Sequence, residues 1–341
     1  MKSKFSKILA ILLIGIFCIS LSGCGKETTK DTGKTNNQTQ SPEKKNLKIV
    51  DTSKNARPYA VMINNISVAR PLQSGLQDAY IIYELIAEGG ITRYMALFMD
   101  QNTQRIGSIR SARHYFLDYA LENDAIYVHH GQSPQAQRDF SALGVDRIVV
   151  DNSKTGWRDK SLNVASEHTL FTSIEKLNNG LGSKRTTRNN DLLLNYSVDE
   201  VDISKKEGAK VANNVSITYS SNTVTSYKYD ETNKYYLRSV NGKAHTDYVT
   251  KEQYHFKNII TYQVKNTTLN DGENKGRQDI ENIGSGEGYY ITNGYSIPIK
   301  WVKKSRKSQT KYYYTDGKEI DVNDGNTFIQ IQPSGQNLTI E

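Results

Sequence analysis

The sequence predicts an α+β protein: an N-terminal mixed α/β sandwich domain over residues 47–200, followed by a mostly-β domain over residues 201–341. Three observations lead there. Before residue 200, short apolar runs alternate with helix-like segments, the pattern of a mixed sheet covered by helices. After it, Tyr, Thr, Asn and Lys dominate and helix signals fade. Turn signals such as Asn241-Gly242, Asn293-Gly294 and Asp316-Gly317 then separate many short strand-like runs. The folded part, roughly 295 residues, suits two domains better than one. The polar stretch from Asn195 to Asn214 reads as their junction.

In the first domain, Tyr59 to Ile63 is a short apolar strand running into Asn64-Asn65. Two strand-like runs, Ala79 to Ala87 and Ile91 to Met99, flank Gly89-Gly90, the pattern of a β-hairpin. A two-residue turn places Glu84, Glu88 and Arg93 on one face, with Arg93 diagonal to both acids. Ser111 to Asn123 has Ala112, Phe116, Tyr119 and Ala120 at helical spacing, and Ser111 is the expected N-cap. Ala125 to Val128 is a buried-type strand ending in His129-His130-Gly131. Ser133-Pro134 then opens a helix that Gly144 ends. Arg147 to Val150 is another strand. Thr172 and Glu175 form a capping-box pattern for a helix stopping at Gly180. In the second domain, eight strands are read between Val215 and Gln332, among them Tyr235 to Val240, Asn258 to Val264, Ile297 to Val302 and Lys311 to Tyr314.

The start of the chain has a different character. Lys2, Lys4 and Lys7 precede an apolar run from Ile8 to Leu21, which leads into Leu21-Ser22-Gly23-Cys24. That order describes a secretory signal over residues 1–23. The run is shorter than the roughly 20 residues that cross a bilayer core. Leu-Ser-Gly-Cys resembles the lipobox of bacterial lipoproteins, which implies a lipid on Cys24 and cleavage ahead of it. Cys18 leaves with the signal, so the mature chain has no intramolecular disulfide and no thiol for catalysis. Residues 24–46 carry no large apolar side chain after the cysteine and read as a flexible tether spanning roughly 25 Å. The full chain has 44 basic and 36 acidic side chains; without the three signal lysines 41 basic groups remain, a net charge of +5. This mild excess suits anionic lipid or wall polymer and does not argue for nucleic acid.

Longer stretches carry a family resemblance. RPYAVMINN from Arg57, ARPLQSGLQDAYIIYELIAEGGITRYMALF and IGSIRSARHYFLDYALENDAIYVHHGQSPQA resemble the YerB-type lipoproteins, the DUF3048 family. EHTLFTS (Glu167 to Ser173) and IPIKWVKKSRKSQTKYYY fit the same family. The resemblance implies an exported two-domain lipoprotein on the extracytoplasmic face of a cell membrane, with no settled activity. A second resemblance, in the order DAYII…LFMD…SIRSAR…YALENDAIYVHHGQSPQA, is to the LytR-CpsA-Psr phosphotransferases. Those enzymes act on polyprenyl-pyrophosphate-linked wall precursors. It implies roles for Asp78 and for Arg110 or Arg113, although that family's Arg-Ser-Asp-Thr and Pro-Arg-Asp motifs are absent at the matching places.

The best candidate site is Arg110, Arg113 and His114, placed by the expected helix start beside free N–H groups and the positive dipole end. Two guanidiniums there would take phosphate or carboxylate bidentately. The plainer reading pairs these arginines with Glu84, Glu88 or Asp118 to join helix to hairpin. His129 and His130 end a strand before a capped helix, where ligands bind in α/β sheets. With Glu167 and His168 they offer enough groups for zinc, but adjacent histidines are a poor metal pair and no metal site is assigned. Ser133 beside His130 is accounted for by helix capping. Asn64, Asn65 and Arg70 either line the same sheet edge or form a turn. The basic run from Lys300 to Lys311, around Trp301, either touches anionic polymer or is a solvated hairpin. Taken together, the expected function is binding of an anionic cell-envelope ligand or partner near Arg93, Arg110, Arg113 and His129, without a cofactor. The alternative is phosphotransfer through the same arginines.

Overall fold

In the computed structural model, which describes residues 46–341, the apolar runs of the first half form strands Tyr59–Asn64, Ile81–Ile86 and Thr92–Phe98. All are buried along their whole length. The expected signal, Cys24 and the tether up to residue 45 lie outside the described residues. Strands buried on both faces need cover on both sides, and the fold supplies it. They sit in an eleven-stranded sheet. Its order runs Lys210–Val211, Tyr295–Lys303, Gly284–Thr292, Asn258–Val264, Thr327–Pro333, Ile81–Ile86, Thr92–Phe98, Tyr59–Asn64, Ile126–His129, Arg147–Val149, with Lys311–Tyr314 also on Tyr295–Lys303. The described chain is mostly β with few helices, consistent with an α+β layout.

The sheet runs across the change in composition at residue 200. Thr327–Pro333 lies between Ile81–Ile86 and Asn258–Val264 and is parallel to both. One face packs against helices α1 (His114–Glu122) and α2 (Pro134–Leu143), where Tyr115, Phe116, Tyr119 and Phe140 join Met62, Tyr83, Met95 and Tyr127 in one core. The other face meets a six-stranded sheet built mainly from Asn214–Ser220, Thr223–Asp230, Tyr235–Val240 and Leu338–Ile340. Its inward Val215, Ile217, Tyr219 and Tyr236 pack with Val61, Ile82, Tyr94 and Phe328.

Several expected elements stand where the residues put them. Ser133 caps α2 by accepting from the Ala136 amide at 3.2 Å, Pro134 is its first residue, and Gly144 ends it in the left-handed conformation (φ 67°). Tyr235–Val240, Asn258–Val264 and Lys311–Tyr314 have the bounds read from sequence. Other expectations shift. Helix α3 (Ile174–Asn179) is capped by Ser173 rather than Thr172, whose hydroxyl instead donates to the Thr155 carbonyl. The stretch read as a polar junction contributes two short strands, Asn195–Ser197 and Lys210–Val211, and buries Ile203. The basic run around Trp301 is divided between partners: Lys303 is buried against Glu122 at 2.6 Å, and Arg306 bridges Asp118 and Asp139.

Two buried ion pairs tie the layers together. Arg238, on the inward phase of its strand, donates to Glu84 at 2.8 Å, and both side chains are fully buried. Lys303 meets Glu122 on the other face, where Thr310 and Tyr83 also donate to that carboxylate. Removing one member of a buried pair leaves an uncompensated charge and costs about 3–5 kcal/mol. Arg238→Met is therefore expected to lower unfolding free energy by about that amount. Urea denaturation measures it, and a loss below about 1 kcal/mol, the scale of an exposed pair, would show that this contact does not hold the sheets together.

Candidate functional site

The hairpin after Ile86 sets the geometry of the site. Ala87 and Ile91 are joined by a 2.7 Å backbone bond, so the loop is the three residues Glu88-Gly89-Gly90, with both glycines at positive φ. The register is accordingly Leu85 opposite Arg93 and Glu84 opposite Tyr94, one residue from the two-residue-turn expectation. A one-residue slip exchanges faces. Glu84 consequently points to the second sheet, away from Arg93, while Glu88 stays within reach of Arg93 from the loop.

The segment before α1 is the second departure. The helix begins at His114, not near Ser111, and Arg113 is its N-cap residue in extended conformation without a side-chain cap. Ser111 cannot cap because this segment is held as extended chain across the strand ends. Arg110 N donates to the Met62 carbonyl at 2.9 Å, and Ala112 N to that of Gly131 at 2.9 Å. Arg110, Arg113 and His114 therefore do not share a first turn. His114 turns away to Asp279 at 2.9 Å.

What the structure does assemble is a chain of charged groups around this segment. Glu88 receives Arg93 at 2.9 Å on one oxygen and Arg113 on the other. Arg93 also donates to the Ser111 carbonyl at 2.7 Å. On the other side Arg110 donates to Glu167 at 3.0 Å, Glu167 lies 3.5 Å from His168, and His168 meets the Asn64 amide at 3.0 Å. Burial, reinforced by Arg113, lowers the Arg93 guanidinium to about 10 despite Glu88. The hydrogen bond from Arg110 holds Glu167 below the usual carboxylate range, and burial lowers His168.

His129 and His130 flank this group without entering it. His129 bonds through Nδ1 to the Gly131 carbonyl at 2.8 Å and stacks on Phe140 beneath α2. His130 bonds to the Val150 carbonyl at 2.7 Å and faces Arg158. Asn64 also accepts from the Ile66 amide, the turn that asparagine favours. Of the expected set, Asn64, Glu88, Arg93, Arg110, Arg113 and His168 are brought together, whereas Glu84 and His114 are not. Asp78 is engaged elsewhere, accepting from Thr103 at 2.6 Å.

Sequence reading missed Arg238 and Arg105. Arg238 had a signal: strict alternation along Tyr235–Val240 puts a charge on the inward phase beside Tyr236 and Val240. Arg105 had none, since its surroundings come from residues 159, 171 and 248. Cavities of about 770, 320, 220 and 630 Å³ are formed elsewhere than the arginine group. The largest is lined by Tyr289, Tyr313, Glu287 and Lys300, and that of 320 Å³ by Arg105 and Asp78.

Burial pulls the His129 imidazole down to about 4, with Arg147 adding to the effect and the Gly131 carbonyl opposing it. Unfolding returns it to about 6.5, so its contribution is complete above that pH and is lost as pH falls towards 4. The difference amounts to about 3 kcal/mol at pH 4. His129→Phe, which keeps the stacking and cannot protonate, is expected to flatten the pH dependence of the urea midpoint over this window. An unchanged slope would mean that His129 is not buried in its neutral form.

Comparison with known proteins bears on the whole described chain. Residues 46–188 match the family model "Protein of unknown function (DUF3048) N-terminal domain", and residues 215–329 match the corresponding C-terminal domain model. The chain is 31% identical over 327 residues to the "Putative lipoprotein YerB" of Bacillus subtilis (strain 168), covering 93% of this chain and 92% of that one. It also resembles the crystal structure of the YerB protein from Bacillus subtilis, with a TM-score of 0.70 and 29% identity, covering 83% of this chain and 94% of that one. These matches do not favour the phosphotransferase alternative. With both domain models matched in order and a full-length relative, the chain belongs to the DUF3048 family.

Proposed function

We propose that this protein is a lipid-anchored binding module of the cell envelope and that its arginine group holds an anionic envelope ligand. Residues 1–23 direct export, Cys24 carries the lipid, and the following tether keeps the folded part near the outer face of the cell membrane. The lipoprotein named among its relatives supports this placement. The α/β part before residue 200 carries the site, and the β-rich part after it supports the site or docks a partner.

The observation that carries the reading is a charge imbalance: among the described residues, Arg93, Arg110 and Arg113 share only Glu88 and Glu167. The surplus is felt at Arg93, whose guanidinium is lowered by burial and then by Arg113. Glu167, more than half exposed, occupies Arg110 from the solvent side, where a stronger anion would displace it. A phosphate-bearing group suits two or three converging guanidiniums better than a single carboxylate does.

Inorganic pyrophosphate is the probe, titrated calorimetrically. Glu167→Gln removes the competing carboxylate and is expected to tighten binding several-fold. Arg110→Gln is expected to weaken it about tenfold, the worth of one charge-assisted hydrogen bond. Absence of saturable binding, or equal affinity in the Arg110→Gln variant, would overturn the assignment. For the anchor, Cys24→Ala is expected to move the protein from the membrane to the soluble fraction on cell fractionation. Unchanged membrane retention would argue against a lipid at that cysteine.

A further inference from the structure

Alternation along Tyr295–Lys303 divides the basic run around Trp301 between the two faces of the large sheet. Ile299, Trp301 and Lys303 turn to the helix side, where the first two join the core and Lys303 meets Glu122. Pro298, Lys300 and Val302 turn to the opposite face. The register sets Tyr289 opposite Pro298, and sets Glu287 and Tyr313 opposite Lys300 from its two neighbouring strands. Directly paired residues of antiparallel strands share a face, so these side chains stand together.

The second sheet covers that face only in part. Ile259 and Ile291 are buried beneath it, whereas Tyr289 is 37% exposed. The cover ends at its edge strand, Leu338–Ile340. The loop before that strand is fixed by Gln263, which donates to the Gln336 carbonyl at 2.7 Å and accepts from the Gly335 amide at 3.0 Å. Leu338 and the turn at Thr315 and Gly317 line the sides of the uncovered part, the cavity of about 770 Å³. Val302 and Tyr313 also line the space of about 630 Å³, so the two form one groove. From Pro298 to Lys304, strand geometry gives it a length of roughly 20 Å.

This groove combines ring faces with unengaged polar groups. The hydroxyls of Tyr289 and Tyr313 have no hydrogen-bond partner among the described residues, and Glu287 and Lys300 make no ion pair there. At the far end Lys311 is taken by Glu319. Lys304 and Lys307 are exposed and unpaired among the described residues, against one acid on that lining, Asp191. A purely apolar chain would leave Glu287 and Lys300 without partners, and a compact anion would not span the length. A sugar ring carries C–H groups on its face and hydroxyls around its rim. The first suit the negative face of a tyrosine ring, and the second suit a few placed polar groups. We propose that the groove binds a strand of acidic polysaccharide, with rings on Tyr289 and Tyr313, hydroxyls on Glu287 and Lys300, and anionic groups on Lys304 and Lys307.

The test is calorimetric titration of the full chain with two acidic hexasaccharides, one from polygalacturonate and one from heparin. Maltohexaose supplies rings without charge, and poly-L-glutamate supplies charge without rings. At least one acidic hexasaccharide is expected to bind saturably, and both controls at least about tenfold more weakly. Tyr289→Thr removes a ring but keeps a good strand former, and is expected to cost about tenfold. Lys304→Gln combined with Lys307→Gln changes exposed side chains that hold no other group, and is expected to abolish the preference for acidic over neutral saccharide. Arg110→Gln is expected to leave saccharide binding unchanged, which separates this groove from the pyrophosphate site. Failure of both acidic hexasaccharides to bind, either control binding as tightly, full affinity in the Tyr289→Thr or the double lysine variant, or loss of binding in Arg110→Gln would each overturn the proposal.

Discussion

The arrangement of layers depends on the buried pair Glu84–Arg238. Apolar packing between two sheets is non-directional and tolerates sliding; a guanidinium with no access to water does not. Arg238 places Nη1 on His245 at 2.6 Å, Nη2 on Glu84 and Thr225 at 2.8 and 3.0 Å, and Nε on Tyr227 at 3.3 Å. Glu84 also accepts from Thr92 at 2.7 Å. His245 passes the network on to Gln73, and burial, then Arg238, keeps its imidazole well below its ordinary range and therefore neutral. Neutral His245 accepts from Arg238 at Nδ1 and donates from Nε2. Desolvating two charges is expensive, and a network this complete is what makes it tolerable. The consequence is a single register for the second sheet against the first.

The same logic operates on the opposite face. Lys303 reaches Glu122 beneath α1, and that carboxylate also receives the Thr310 amide and hydroxyl. Between these clamps, Thr327–Pro333 fills the space beside Ile81–Ile86, a strand with no exposed residue. Without that neighbour, a fully buried strand would present an open edge. The two family segments thus meet through shared backbone pairing as well as through two buried charge pairs, and the 320 Å³ cavity lies where they meet.

Much of the local structure was legible because it depends on neighbours in sequence. Apolar runs marked the strands, Ser133-Pro134 marked a helix start, and Gly144 marked its end. Errors arose where a local rule had two solutions. Gly89-Gly90 fits a two-residue turn, but the loop takes Glu88 as well, and this single residue sends Glu84 to Arg238 instead of Arg93. Ser111 has the chemistry of an N-cap, yet the backbone around it is committed to the strand ends, so the cap falls two residues later, at Arg113. Long-range partnerships had no local signature: nothing near Arg105 announces Phe171 or Tyr248, and nothing near Glu122 announces Lys303.

The proposed arginine site follows from the same accounting of charge. Around Arg93, Arg110 and Arg113 the acids serve as positioners, and the sum remains positive, so an incoming anion gains by replacing Glu167. Glu88 is held by two guanidiniums at once and is the firmer positioner; Glu167 is held by Arg110 alone and is more than half exposed, so it is the acid that an anion from solvent replaces. Every one of these groups lies within the N-terminal family segment, residues 46–188.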